Sequence, residues 1–241
     1  MIPWLDTRTP FPPVERALRN PNGLLAAGGD LSTDRLLAAY RNGIFPWYSA
    51  GEPLLWWSPD PRMVLPTADL RISRSLAKSV RNRGYEVRVD TCFSEVLAGC
   101  AGERRDQPGT WLGAEMRTAY HQLHALGYAH SFETWQGGRL VGGLYGVAIG
   151  HMFFGESMFS LATDASKVAL VGLVEELCAR GFPIVDCQMN TSHLATLGAR
   201  EITRSDFLHA VSALVNYAEP PGRWQLARHG NPGVDEARCH D

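Results

Sequence analysis

Net charge is scarce in this chain. Its 241 residues carry 23 Lys and Arg against 25 Asp and Glu, a formal charge of −2 at neutral pH. Overall charge therefore announces no nucleic-acid partner; one would need a local basic patch. Long apolar runs are also missing. None reaches the roughly 20 residues of a membrane-spanning helix, and no basic segment with an apolar run behind it opens the chain. A soluble cytoplasmic protein with no membrane partner is expected. Cysteines are few: Cys92, Cys100, Cys178, Cys187 and Cys239 stand far apart, with no CxxC pair and no Cys/His set at zinc spacing. Reduced thiols packed in a core are expected, with no disulfide frame and no metal. The chain has no GxGxxG, no P-loop, no Gly-x-Ser-x-Gly elbow and no HExxH. The usual nucleotide cradles and the commonest nucleophile and zinc hydrolase signatures are excluded with them.

What is present is a globular composition, 45% hydrophobic, enough for a sizeable core in one domain with a smaller companion. Pro10, Pro12, Pro13, Pro21, Pro46, Pro53, Pro59 and Pro61 crowd the first 62 residues and forbid long helices there. One short helix fits, capped near Asp30–Asp34, striped by Leu36, Leu37 and Tyr40, and stopped by Gly43. Trp47, Trp56 and Trp57 lie close together. They suit an aromatic mini-core or a stacking platform for a base; composition favours the mini-core. The texture changes near Arg62, and we place a domain boundary there: 1–62 small, 63–218 large, and a loosely ordered tail over 219–241.

The larger part reads as mixed strands and helices. Ser73 to Arg83 is a capped helix carrying Arg74, Lys78, Arg81 and Arg83, either a solvated face or a phosphate-contacting patch. Helices are also expected near Phe93–Cys100 and Glu115–Leu126. Ala129–Trp135, Arg139–Gly150 and His151–Ser160 read as three consecutive antiparallel strands, the first pair joined by a Gly-Gly hairpin turn. A strongly apolar helix from about Ala162 to Ala179 precedes the strand Ile184–Gln188. A short helix, a strand near Ala199–Thr203 and a last helix from Ser205 complete the order. Runs of this kind mean α+β, not a doubly wound sheet.

The polar residues set into the apolar middle are Glu156, Asp186 and Gln188. A buried acid is costly unless paired or used, and such places are where sites gather. Asp186 and Gln188 are two apart on one strand and so share a face. A carboxylate there can orient the neighbouring amide, whose oxygen accepts from an incoming amine while its NH₂ steadies an oxyanion. That suits aminolysis of an activated ester. A purely structural polar network fits the same residues.

The ordered words Asn22-Gly-Leu-Leu, Gly28-Gly-Asp-Leu, Gly43-Ile-Phe-Pro-Trp47, Trp56-Trp-Ser-Pro-Asp-Pro-Arg62, Ile72-Ser-Arg-Ser, Gly109-Thr-Trp111, Ala119-Tyr-His-Gln-Leu-His124, Leu140-Val-Gly-Gly-Leu-Tyr-Gly-Val147, Phe154-Gly-Glu-Ser-Met-Phe-Ser160, Ala165-Ser-Lys167, Asp186-Cys-Gln188 and Leu197-Gly-Ala199 resemble the leucyl/phenylalanyl-tRNA–protein transferases. They cover about Phe11 to Leu208. The resemblance implies a small N-terminal domain beside a larger GNAT-like acyltransferase domain with a mixed, mostly antiparallel sheet. It implies transfer of Leu or Phe, less well Met, from aminoacyl-tRNA to proteins with N-terminal Arg or Lys, marking them for degradation by the N-end rule pathway. No metal or coenzyme is implied, because the ester is already activated. Asp186 and Gln188 would be the catalytic pair, with Glu156 beside them. Trp47 and Trp111 would hold the terminal adenosine. Leu144, Phe153, Met158, Leu170, Leu177 and Val185 would form the amino-acid pocket, and the Arg74–Arg83 face would meet the acceptor stem. Some relatives carry Met at the position of Leu144 and Phe at that of Leu177, which leaves the Leu-versus-Phe preference open. Two other readings stand beside this one: an acetyl-coenzyme-A-dependent acyltransferase, which needs a Gly-rich pyrophosphate loop where this chain has Leu161–Ser166, and a non-catalytic tRNA-binding module.

Overall fold

The computed structural model describes residues 2–49, 51–102, 112–218 and 221–226. Early prolines keep the first strands short. β1 (Trp4–Leu5), β2 (Leu24–Gly28), β3 (Phe45–Pro46) and β4 (Leu55–Trp57) form a four-stranded sheet ordered β1-β2-β4-β3. Helix α1 (Thr33–Arg41) lies between β2 and β3 in the chain and buries Leu36, Leu37, Ala39 and Tyr40. Gly43, at φ +68°, turns the chain out of it.

β5 (Arg62–Pro66) leaves the small sheet and joins the large one. There follow α2 (Arg74–Asn82), β6 (Tyr85–Val89), α3 (Phe93–Ala101), α4 (Ala114–Ala125), β7 (Ala129–Gln136), β8 (Arg139–Ile149), β9 (Met152–Ser160), α5 (Ala165–Ala179), β10 (Ile184–Gln188), α6 (Ser192–Thr196), β11 (Arg200–Ile202) and α7 (Arg204–Leu214). The seven strands are ordered β11-β5-β10-β9-β8-β7-β6. The expected hairpin turn has both glycines left-handed, Gly137 at φ +55° and Gly138 at φ +75°, the requirement of a type I′ turn. Every pairing in this sheet is antiparallel except β9 with β10. Parallel neighbours need a crossover, and α5 supplies it. Eleven of its fifteen residues are buried, which is why its sequence is apolar nearly all round. The α+β class with a mixed, mostly antiparallel sheet is as expected.

Alternate residues of β8 and β9 divide between two cores. Tyr145, Val147 and Phe154 enter one, with Leu36, Tyr40 and Trp56 from the small unit and Phe93, Tyr120 and Phe207 from helices α3, α4 and α7. Leu144 and Phe153 enter the other, under α5, with Leu170, Leu177 and Val185. The small sheet thus shares a core with one face of the large sheet.

Two expectations fail. Cys92 is in a disulfide; the reduced-thiol expectation holds at Cys100, Cys178 and Cys187, which form no disulfide. The tail is not loose over residues 221–226. The Gly222 N–H donates to the Gly127 carbonyl at 3.2 Å, and Trp224 is 6% exposed within the α5-side core. Pro220-Pro221-Gly222 carries no periodicity, so nothing local in the sequence signals that docking.

Gly146 tests the packing. A Cβ there would lie 2.4 Å from the Phe154 carbonyl oxygen and 2.5 Å from the Phe153 ring. Gly146→Ala is expected to destabilise the fold by about 1–3 kcal/mol, read as a lower urea midpoint; an unchanged midpoint would show that the strands yield without strain.

Candidate active site

The site starts from a buried charge. Asp186 on β10 has 0% exposure and Arg62, at the start of β5, has 1%. Arg62 Nε donates to Asp186 Oδ1 at 2.8 Å and Nη2 to Oδ2 at 2.7 Å, a bidentate pair. Its Nη1 donates to the Gly43 carbonyl at 3.2 Å. The guanidinium carbon lies 4.7 Å from the Phe45 ring centroid and 4.4 Å from that of Phe207, so the cation is also held by aromatic faces.

Two interruptions of the ladder aim the polar groups. Asp186 pairs with Val64 and Gln188 with Met63, which leaves Cys187 as an extra residue. Gln188 sits at φ +61°. On β9, Ser157 pairs with Tyr145 and Gly155 with Gly146, which leaves Glu156 outside the ladder. Bulges of this kind re-aim side chains. They also correct the expected geometry. Asp186 does not hold the Gln188 amide; its Oδ1 accepts the Gln188 backbone N–H at 2.8 Å. The amide is held by the other acid, Gln188 Nε2 donating to Glu156 Oε1 at 3.1 Å. With both Glu156 oxygens accepting hydrogen bonds, the amide NH₂ faces Glu156 and its oxygen is turned away from that acid.

Glu156 has two further donors. Tyr40 Oη donates to Oε1 at 2.8 Å and Tyr120 Oη to Oε2 at 2.6 Å, and the two hydroxyls lie 2.9 Å apart. Burial pushes the Glu156 carboxyl up to about 7. The Tyr120 and Tyr40 hydrogen bonds oppose that rise, the Asp186 charge adds to it and Arg62 opposes it. Burial, and then the Glu156 charge, holds both phenols well above their ordinary range, so they remain donors. Burial and the Asp186 charge push the Cys187 thiol far up, so it stays uncharged and is no nucleophile.

The ladder between β9 and β10 parts here. The parallel ladder covers only Ile184↔Met152, Val185↔Phe153 and Asp186↔Phe154. Beyond it β9 runs on beside β8 to Ser160, while β10 ends at Gln188. Glu156 and Gln188 flank the parting. Gly155 stands in it; a Cβ there would come 3.1 Å from the Asp186 carbonyl oxygen.

The six apolar residues expected to form a pocket share the core under α5: Leu144, Phe153, Leu170, Leu177 and Val185 buried, Met158 partly so. Val185 is the ladder partner of Phe153, and Leu144 that of Met158. They therefore line the face of the sheet opposite the Tyr40–Tyr120–Glu156 cluster. Trp56 and Trp57 do form a mini-core, with Trp56 Nε1 donating to the Gly28 carbonyl. Trp47 is 38% exposed and stands edge-on to Trp57, centroids 5.6 Å apart. Trp111 lies outside the described residues. Ser73 caps α2 by accepting the Leu76 N–H at 3.2 Å, and Arg74, Lys78, Arg81 and Arg83 are all exposed on it and just beyond it. Sequence reasoning missed Arg62, Tyr40 and Tyr120. Arg62 looked like a boundary residue and Tyr40 like an apolar stripe position. A tyrosine on a buried stripe needs a partner for its hydroxyl, and that was the available signal. Among the described residues no three His, Cys, Asp or Glu side chains are placed to hold a metal ion, and no helix is long and apolar enough to cross a membrane.

The raised carboxyl has a consequence for stability. Its folded pKa lies above the unfolded one, so the folded state holds the extra proton between about pH 4.5 and 7 and wild-type stability falls as pH rises through that window. Glu156→Gln cannot lose a proton. Its stability relative to wild type is expected to rise from pH 5 to 7 and then level off. Urea midpoints at pH 5, 6, 7 and 8 check this; a pH-independent difference would refute it.

The family model described as leucyl/phenylalanyl-tRNA protein transferase matches residues 64–212, and that of its N-terminal domain matches residues 29–60. A leucyl/phenylalanyl-tRNA–protein transferase of Chromobacterium violaceum is 58% identical over 93% of this chain and 96% of its own. One of Thiobacillus denitrificans is 61% identical over 89% of this chain and 94% of its own. Among solved structures, a GCN5-related N-acetyltransferase from Kribbella flavida matches with a TM-score of 0.36 and 11% identity, over 69% of this chain and 60% of that one. On the family-model match and the identity to its relatives, the chain belongs to the leucyl/phenylalanyl-tRNA–protein transferase family.

Proposed function

We propose that this chain transfers leucine or phenylalanine, and methionine less well, from aminoacyl-tRNA to the α-amino group of proteins that begin with Arg or Lys, and that it acts in the cytoplasm as a mark-setter for N-end rule degradation. The observation that carries the reading is the Gln188 amide, turned by Glu156 at the parting of β9 and β10. With its NH₂ occupied, the amide oxygen can accept an N–H from the incoming amine and point the nitrogen lone pair at the ester carbonyl. The C–N bond forms, the carbonyl oxygen takes negative charge, and the bond to the tRNA ribose oxygen then breaks. The amine gives up a proton and the ribose oxygen gains one. No metal or coenzyme is required, because the ester is already activated. Asp186, locked to Arg62, positions the Gln188 backbone. Leu144, Phe153, Met158, Leu170, Leu177 and Val185 take the aminoacyl side chain. Trp47 and Trp111 stack the terminal adenosine. Arg74, Lys78, Arg81 and Arg83 meet the acceptor-stem phosphates.

A coenzyme-A acyltransferase is disfavoured by Asp164. This residue precedes α5 and accepts from Ser79 Oγ at 2.8 Å and Lys167 Nζ at 3.1 Å. It sets an anion where a pyrophosphate would need free backbone amides.

Charged leucyl-tRNA and an Arg-initiated peptide test the activity directly; leucine should appear on the peptide N-terminus, and its absence would reject the reading. Gln188→Ala should lower kcat on the order of a hundredfold with tRNA Kd nearly unchanged. Equal losses in both would mean a binding role instead.

The basic helix has its own test. Arg81→Glu with Arg83→Glu should weaken tRNA binding and reduce the slope of log K against log salt by about two. Binding that keeps its affinity and its slope would reject the patch.

A further inference from the structure

We propose that Trp224, in the C-terminal segment, is a positioning residue for the aminoacyl pocket: by backing Phe153 it limits the pocket's depth and holds down the acceptance of phenylalanine relative to leucine. This rests on the pocket reading given above. It concerns a residue beyond the stretches that the family models match, which end at residue 212.

Trp224 is anchored through its backbone and clamped through its ring. Its N–H donates to Asp90 Oδ2 at 2.9 Å. The same oxygen lies 2.8 Å from His130 Nδ1, and Asp90 Oδ1 accepts the Ser131 N–H at 2.9 Å. Asp90 stands at φ +53°, a conformation its three partners hold. The indole stacks on His130 at 4.0 Å and 14°, and the Arg180 guanidinium carbon lies 4.5 Å from the indole centroid. Two planar groups that close must take opposite faces of the ring. The ring edges meet Phe182 at 5.6 Å and 75°, Phe132 at 6.3 Å and 80°, and Phe153 at 6.1 Å and 38°.

Two of those neighbours bear on the pocket. Phe153 is itself a wall residue, fully buried beside Val185. Phe132 is the cross-strand partner of Leu144, another wall residue. Every pocket residue is simply apolar, and apolarity alone separates side chains of neighbouring size weakly. Size selection then depends on how far the wall can retreat. In a close-packed core a wall residue retreats only into a void, and the indole fills the space behind Phe153. Truncating it leaves a cavity that the surroundings fill only in part, and the Phe153 ring can rotate into it.

The test is the ratio of kcat/KM for phenylalanyl-tRNA to that for leucyl-tRNA. Trp224→Ala should raise the ratio about tenfold, chiefly through KM, and added indole should return it towards the wild-type value. Trp224→Phe, which keeps an aromatic ring behind Phe153, should stay within about twofold of wild type. If Trp224→Ala does not fold, Trp224→Leu carries the same test. Phe153→Leu is run beside them. A ratio that moves in Phe153→Leu but not in the Trp224 variants overturns this inference and leaves the pocket reading standing. A ratio that moves in neither overturns both.

Discussion

The bidentate pair of Arg62 and Asp186 is the constraint on which the rest depends. Both side chains are withdrawn from water, so each is intolerable without the other. Removing one partner of such a pair typically costs about 3–5 kcal/mol, because a bare charge is left behind. The pair therefore fixes where β5 stands against β10, at the point where the chain leaves the small sheet. Gly43, Phe45 and Phe207 close around the same guanidinium, which ties the α1–β3 connection and α7 to the same spot. The spare capacity of the carboxylate goes to the Gln188 backbone. A left-handed glutamine is unfavourable by itself, and this hydrogen bond is what the surroundings offer it in return.

Two carboxylates then do different jobs because their neighbours differ. Asp186 has a cation against it; Glu156 has only hydroxyls and an amide. Glu156 is correspondingly the acid whose carboxyl is pushed up to about 7 by burial. Neighbouring acids kept in unlike surroundings are a common way to separate roles within one site. Here one braces the backbone of Gln188 and the other its side-chain NH₂, so the residue is held at both ends.

The Gln188 amide lies where β9 and β10 part. Parallel strands joined by a buried crossover helix pair for three residues and then separate. The polar cluster lies on one face of the sheet and the apolar wall on the other. The small N-terminal unit is part of this arrangement, since Tyr40 reaches Glu156 from α1.

Local pattern was enough for much of this. Periodicity and caps placed the Ser73-capped helix, the Gly137-Gly138 hairpin, the apolar crossover helix and the three central strands, because each depends on neighbours in the chain. The ordered motif words were enough for the family. Composition also marked Glu156, Asp186 and Gln188 as out of place among apolar residues. What local pattern could not give was which acid faces which partner. Strict alternation put Asp186 against the Gln188 amide, and one extra residue at Cys187 and another at Glu156 reversed that assignment. A bulge depends on the opposing strand, here Met63–Val64 and Tyr145–Gly146, distant in sequence. Arg62, Tyr40, Tyr120 and Trp224 were equally silent. Each acts through a contact across tens of residues or more, and only the packed tertiary structure, where a buried charge or hydroxyl must find its complement, decides those.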